Sequence, residues 1–254
     1  MNVTEPILKP PHLHALAAFA LSNVLLAFDY DGTLAPIAPR PEDAHLRPET
    51  RMLLTAVARS FPTVVISGRS LADVTAMLSS VPLWYIYGNH GLEPARRRRE
   101  DVPDTAAWVA QLTPRLPPAL GVRIENKGYS VTLHFRGVPE RERAVASIEA
   151  AVEALPDVTI LRGKEAINLL PRDQGNKGTA LTQARDIFAC QNAIYVGDED
   201  TDEAAFASGG DNTLAIRVEP SMGSHAKYHI GSQLEIDPFL RTLLDFRRRA
   251  LTSG

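Results

Sequence analysis

Short, uniformly apolar runs alternate along both ends of the chain with segments whose apolar residues return every three to four positions. Residues 24–28, 63–66 and 84–87 are runs of the first kind. They are separated by helical patterns over residues 48–60 and 71–78, and a further one (Leu13, Leu16, Ala17, Ala20) precedes them. After residue 176 the rhythm resumes: a helix over 177–188, a strand over 193–196, a short helix over 202–207, a strand over 213–218 and a closing helix over 237–248. Buried strands alternating with helices predict a parallel sheet covered on both faces.

The middle of the chain has a different period. A helical pattern at 104–116 leads to strands at 122–125 and 130–136. In the second of these Val131, Leu133 and Phe135 alternate with Thr132, His134 and Arg136, the mark of a half-buried strand. Asn126-Lys127-Gly128 suits the turn between them. A helix over 140–155 and strands over 158–161 and 166–170 complete an αββαββ unit. The predicted fold is therefore α/β, with a Rossmann-like doubly wound parallel-sheet core (1–95 and 172–254) and an inserted αββαββ cap domain (96–171).

Composition narrows the function. Of 254 residues, 27 are Lys or Arg and 30 Asp or Glu, a formal charge of −3, which supplies no basic field for nucleic acid. One cysteine, Cys190, excludes a disulfide framework and a cysteine-based zinc cluster. The apolar stretch over 13–28 is broken by His14, Ser22 and Asn23 and is too short for a membrane span. The expectation is a soluble, cytoplasmic monomer with no nucleic-acid or membrane partner.

Chemistry gathers where predicted strands end. In Asp29-Tyr30-Asp31-Gly32-Thr33 two carboxylates stand two residues apart, so an extended backbone directs both to one side. One can attack phosphorus while the other moves protons. Ser67-Gly68-Arg69 offers a hydroxyl and backbone N–H groups to an anion. Lys177 opens a helix and can neutralise a phosphoryl oxygen. Between Asp198 and Asp202 four carboxylates crowd five residues, and oxygen donors without histidine point to Mg²⁺. Each signal also has a plainer local reading: turn aspartates, a serine N-cap, a solvated first-turn lysine.

Together, Asp29-x-Asp31-Gly-Thr33, Ser67-Gly68-Arg69, Lys177 and Gly197-Asp198 resemble the haloacid dehalogenase-like phosphatases. The resemblance implies Asp29 as nucleophile and Asp31 as general acid/base, with a raised Asp31 pKa. It implies Thr33, Ser67, Gly68 and Lys177 around the phosphoryl group. Mg²⁺ would be held by Asp29, the Asp31 main-chain carbonyl and Asp198, with Asp202 in support.

From about residue 25 to 244 the chain is similar to the trehalose-6-phosphate phosphatase family. The similarity rests on Gly88-Asn89-His90-Gly91-Leu92-Glu93, the stretch from Glu125 to Arg136, Gly163-Lys164 and Gly197-Asp-Glu-Asp-Thr-Asp-Glu203. It implies a sugar phosphate as substrate, with Arg69, Asn89, His90, Glu93, Glu125, Lys127, His134, Lys164 and Asn168 as hydroxyl partners. The chain departs from the family at Asn168 and Leu170, where a glutamate and a basic residue are usual. That departure keeps sucrose 6-phosphate and a glycosylglycerate phosphate open as substrates. Rival readings are a silent sugar-phosphate-binding domain and a phosphomutase. Arginines 96–99 read as a solvated loop. His225 and His229, at i and i+4, lack a third zinc ligand.

Overall fold

The computed structural model describes residues 3–94, 104–163, 165–172 and 175–252. The chain divides into two compact units, one of residues 1–91 with 175–254, the other of residues 92–174.

The first unit is built on a seven-stranded sheet. Its strands are β1 (Glu5–Pro6), β2 (Val24–Phe28), β3 (Thr63–Ile66), β4 (Tyr85–Tyr87), β9 (Asn192–Gly197), β10 (Thr213–Val218) and β11 (Tyr228–Ile230). The order is β1-β11-β10-β9-β2-β3-β4, and every pairing is parallel. Alternate residues of one strand serve opposite faces. Val24, Leu26 and Phe28 join a core with Leu54 and Val57 of α2 (Pro48–Ser60) and Phe239, Leu240 and Leu243 of α8 (Ile236–Thr252). Leu25 and Ala27 join a second core with Ala180, Leu181 and Ala184 of α6 (Lys177–Ile187) and Ala205 and Phe206 of α7 (Glu203–Phe206). Burial on both faces is why these strands read as continuous apolar runs. The remaining helices of this unit are α1 (Leu13–Ala20) and α3 (Leu71–Met77).

Strands β1 and β11 have no counterpart in the sequence reading. They span two and three residues, too few for periodicity to register. His229 lies on β11, where its Nδ1 is 3.0 Å from the Thr4 hydroxyl, so its spacing from His225 is not helical. Cys190 sits in the turn after α6, buried.

The second unit is a four-stranded antiparallel sheet of order β5-β6-β8-β7. The strands are β5 (Arg123–Asn126), β6 (Val131–His134), β7 (Val158–Arg162) and β8 (Ala166–Pro171). Val131, Leu133, Ile167 and Leu169 share one face and pack with Trp108 and Leu112 of α4 (Thr105–Leu112) and Ala144, Ile148 and Val152 of α5 (Arg141–Glu153). Glu125, Thr132, His134 and Asn168 stand on the other face, since register places Glu125 opposite Thr132 and Thr132 opposite Asn168.

Candidate active site

Asp29 follows the last residue of β2 and Asp198 the last residue of β9, its parallel neighbour, so both carboxylates emerge at one sheet edge. This is the edge at which open α/β sheets bind ligands. Lys177 reaches them from the first turn of α6. That helix starts there because the Asn176 side chain accepts from the N–H groups of Gly178 and Thr179 in a capping box. Gly178 lets α6 approach closely: a Cβ on it would lie 2.3 Å from the Ala204 carbonyl oxygen.

The buried charges do not balance. Lys177 Nζ lies 3.0 Å from Asp29 Oδ1 and 2.8 Å from Asp202 Oδ1, and all three residues are buried, as is Asp198. One ammonium therefore faces three carboxylates. Burial pushes the Asp29 carboxyl up to about 8; Lys177 opposes that, and Asp202 and Asp31 add to it. For Lys177 burial acts downward, but Asp202 and Asp29 outweigh it and the ammonium is held well above its ordinary range. Asp202 is ordered by three donors: Lys177 and the Tyr195 hydroxyl at 2.7 Å on Oδ1, and the Glu199 N–H at 2.9 Å on Oδ2.

A metal ion fits the surplus charge. Ligand oxygens of Asp29, Asp198 and Asp202 lie within 4.8 Å of one another, and an all-oxygen set suits a hard divalent cation. Gly32 makes the cradle possible: its φ is +76°, and a Cβ there would stand 2.3 Å from Asp198 Oδ2. The Thr33 hydroxyl is 3.5 Å from Asp198 Oδ1. Glu203 anchors the far end of the acidic loop by accepting from Arg217 at 2.6 Å, the Ser224 hydroxyl at 2.7 Å and the His225 N–H at 2.8 Å.

Asp31 is half-exposed and held by Arg69, with Nε to Oδ2 at 2.7 Å and Nη2 to Oδ1 at 2.6 Å. The Arg69 guanidinium also donates to the Pro41 carbonyl at 2.7 Å.

Ser67 is buried at the end of β3, and its Oγ accepts from the Arg69 N–H at 3.1 Å. The Ser67–Arg69 turn is braced from behind. His90 N donates to the Ser67 carbonyl at 2.8 Å and Asn89 N to the Arg69 carbonyl at 2.7 Å. Both Asn89 (φ 47°) and His90 (φ 57°) take left-handed backbone, and the His90 ring packs on Gly68, where a Cβ would lie 2.6 Å from Cε1. Asn89 and His90 are buried, so the structure gives them a bracing position behind the turn.

In the second unit, His134 Nε2 is 2.6 Å from Glu125 Oε2, and the Thr132 hydroxyl donates to Asn168 Oδ1 at 2.8 Å. The hydrogen bond with His134 holds the Glu125 carboxyl down at about 2; burial opposes it, and Lys127 adds to it. Lys127 occupies the turn between β5 and β6, and Glu93 lies in this unit, half-buried. Leu170 is buried on β8. Lys164 and arginines 96–99 lie outside the described residues. Sequence reasoning missed Thr132, although it stands among the polar alternates of its strand. It also missed Tyr195, which an apolar run disguises as core.

A buried aspartate at the tip of a central parallel strand, paired with a helix-borne lysine, puts the molecule in the class of haloacid dehalogenase-like phosphatases. Comparison narrows the class: the trehalose-phosphatase family model matches residues 27–235. The trehalose-phosphate phosphatase of Mycobacterium tuberculosis is 32% identical over 225 residues, covering 80% of this chain and 57% of that protein. The probable trehalose-phosphate phosphatase 4 of Oryza sativa subsp. japonica is 25% identical, covering 91% and 69%. Among solved structures, the C-terminal domain of Candida albicans trehalose-6-phosphate phosphatase superposes with a TM-score of 0.72 at 21% identity, covering 97% of this chain and 99% of that one. A trehalose-6-phosphate phosphatase related protein reaches 0.64 at 27%, covering 91% and 100%. This chain belongs to the trehalose-phosphatase family.

Proposed function

We propose that the protein is a magnesium-dependent phosphatase that hydrolyses trehalose 6-phosphate to trehalose and phosphate through an aspartyl-phosphate. The observation that carries the reading is the Lys177–Asp29 contact at 3.0 Å beside Asp198, a nucleophile, its counter-charge and a cation ligand in one buried cluster. The relatives' names supply the sugar, and the oxygen-only donor set supports Mg²⁺ over softer metals.

In this reading one Asp29 oxygen attacks phosphorus and displaces the sugar alkoxide, which takes a proton from Asp31. Lys177 and the Ser67 hydroxyl hold the transferring phosphoryl oxygens; because Ser67 Oγ already accepts from Arg69 N–H, its own proton is available to them. Asp31 then takes a proton from water as that water attacks the aspartyl-phosphate, and Asp29 is restored. Both Asp31 oxygens accept from Arg69, so proton transfer requires at least one of those bonds to open. Asp29, Asp198 and the Asp31 carbonyl would hold the Mg²⁺, whose charge lets an anionic carboxylate approach an anionic ester. Residues 96–171 are proposed as the cap that selects the sugar, with Glu125, Lys127, His134, Lys164 and Asn168 as its polar contacts, and Arg69, Asn89, His90 and Glu93 are proposed as sugar contacts from outside it. A soluble, cytoplasmic monomer remains the proposal for the chain's state; among the described residues no helix is long and apolar enough to cross a membrane.

The test is phosphate release with Mg²⁺ from trehalose 6-phosphate, sucrose 6-phosphate, glucose 6-phosphate and glycosylglycerate phosphates. Trehalose 6-phosphate is expected to be preferred. Asp29→Asn is expected to abolish release while its circular dichroism stays that of the parent protein. Preference for another sugar would move the substrate assignment, and turnover by Asp29→Asn would end the aspartyl-phosphate mechanism.

A further inference from the structure

Tyr195 is fully buried on β9, two residues before Gly197 and on the same face of the strand. Its ring meets Phe206 of α7 edge-on, with centroids 5.8 Å apart and planes at 75°. A tyrosine so enclosed must find a partner for its hydroxyl, and the partner is Asp202 Oδ1 at 2.7 Å, the oxygen that also receives Lys177 Nζ at 2.8 Å. Gly197 lets this happen: the Asp202 carboxyl lies directly over it, and a Cβ there would stand 2.3 Å from Cγ. The carboxyl is thus wedged over a bare backbone, with a phenol on one oxygen and the Glu199 N–H on the other.

Lys177 needs this arrangement because an ammonium on a flexible stem has no preferred direction of its own. Its position is the balance between two acceptors, Asp202 Oδ1 at 2.8 Å and Asp29 Oδ1 at 3.0 Å. By sharing Asp202 Oδ1, the Tyr195 hydroxyl both fixes that carboxylate and tempers its pull on the lysine. Without the hydroxyl, Asp202 Oδ1 has Lys177 as its remaining donor here and draws the ammonium more strongly, away from Asp29 and from a phosphoryl group on it.

We propose that Tyr195 is a positioning residue for phosphoryl transfer, acting through Asp202 to keep Lys177 Nζ beside the Asp29 carboxylate. The proposal deepens the phosphatase reading above and rests on it.

The experiment measures orthovanadate binding by calorimetry in the presence of Mg²⁺, because vanadate fills the phosphoryl seat without a sugar. Tyr195→Phe, Asp202→Asn and the double variant are compared with the wild-type protein. Tyr195→Phe is expected to weaken vanadate about tenfold, a shift of ~1.4 kcal/mol, and to lower kcat/KM for trehalose 6-phosphate by a similar factor. The double variant is expected to match Asp202→Asn, since the tyrosine acts only through that carboxylate. Wild-type vanadate affinity in Tyr195→Phe would overturn the proposal, and so would a double variant whose loss is the product of the two single losses. Should Tyr195→Phe not fold, Tyr195→Leu, which likewise lacks the hydroxyl, is measured instead; at least a threefold loss supports the role and a smaller one overturns it. If the wild-type protein binds vanadate but releases no phosphate from trehalose 6-phosphate, only the substrate reading fails, and the vanadate series still decides the role of Tyr195.

Discussion

Arg69 grips Asp31 through two parallel bonds, Nε to Oδ2 at 2.7 Å and Nη2 to Oδ1 at 2.6 Å, and its own N–H reaches Ser67 Oγ at 3.1 Å. One residue thereby joins the proposed phosphate seat to the proposed acid/base, which lies 38 positions before Arg69 in sequence. A guanidinium fork matches a carboxylate in a way an ammonium cannot. Arg69→Lys and Arg69→Ala are therefore both expected to lower turnover of trehalose 6-phosphate, by about tenfold to a thousandfold within the range of a mispositioned general acid. In kcat/KM, which ends at formation of the aspartyl-phosphate and leaves out the water attack that Asp31 also serves, p-nitrophenyl phosphate, whose leaving group departs without protonation, is expected to be spared. Equal losses on the two substrates, measured by steady-state kinetics, would contradict an orienting role for Arg69.

Burial holds the Asp29 carboxyl up at about 8 against an ordinary 3.8. Over that interval the native state binds the proton more tightly than the unfolded chain does, so this group's stabilisation is full below about 3.8 and is lost as pH rises toward 8. In EDTA the melting temperature is expected to fall from pH 5 to pH 8, with a shallower fall in Asp29→Asn. Mg²⁺ favours the ionised carboxylate, so its stabilising effect is expected to grow with pH. Thermal scans at several pH values, with and without Mg²⁺, check both statements.

Glu125 behaves in the opposite sense. The hydrogen bond with His134 holds its carboxyl at about 2 against 4.5, so the stabilisation is present above about 4.5 and is lost as pH falls toward 2. In His134→Ala the carboxyl is expected to titrate closer to its ordinary range. Carbon-13 NMR of labelled glutamate reads this directly, and an unmoved titration would show that His134 is not the cause.

Gly32→Ala combines two faults. The residue must keep a φ of +76°, costing of order 1–3 kcal/mol, and its new methyl would overlap Asp198 Oδ2. The expected result is a half-saturating Mg²⁺ concentration raised at least about tenfold, for a displacement worth ~1.4 kcal/mol or more. Activity titrated against Mg²⁺ and melting curves separate the ligand's displacement from the strain.

Local rules carried much of this molecule. Strands of four to six residues flanked by full helical periods announce themselves, because side-chain direction repeats every two or 3.6 residues whatever lies beyond. Residues 48–60, 63–66 and 213–218 accordingly begin and end where the pattern puts them. The Asp29-x-Asp31 and Gly197-Asp198 signals were legible for the same reason, since each is a strand end followed by its own turn.

Other features depend on chain segments far apart in sequence. Strand β11 exists because β10 and β1 flank it, and no pattern within three residues encodes those neighbours. That Asn89 and His90 brace the Ser67–Arg69 turn depends on backbone bonds made across some twenty residues. How far the Asp29 carboxyl is raised is decided by the summed exclusion of water over it and by the charges of Lys177, Asp202 and Asp31, a three-dimensional sum that composition does not contain. The sequence determined which chemical groups stand at the strand ends. Only the tertiary structure decided how they are shared: Lys177 between Asp29 and Asp202, Arg69 with Asp31, and Tyr195 with Asp202, because hydrogen bonds and desolvation act over ångströms between residues that the chain keeps dozens of positions apart.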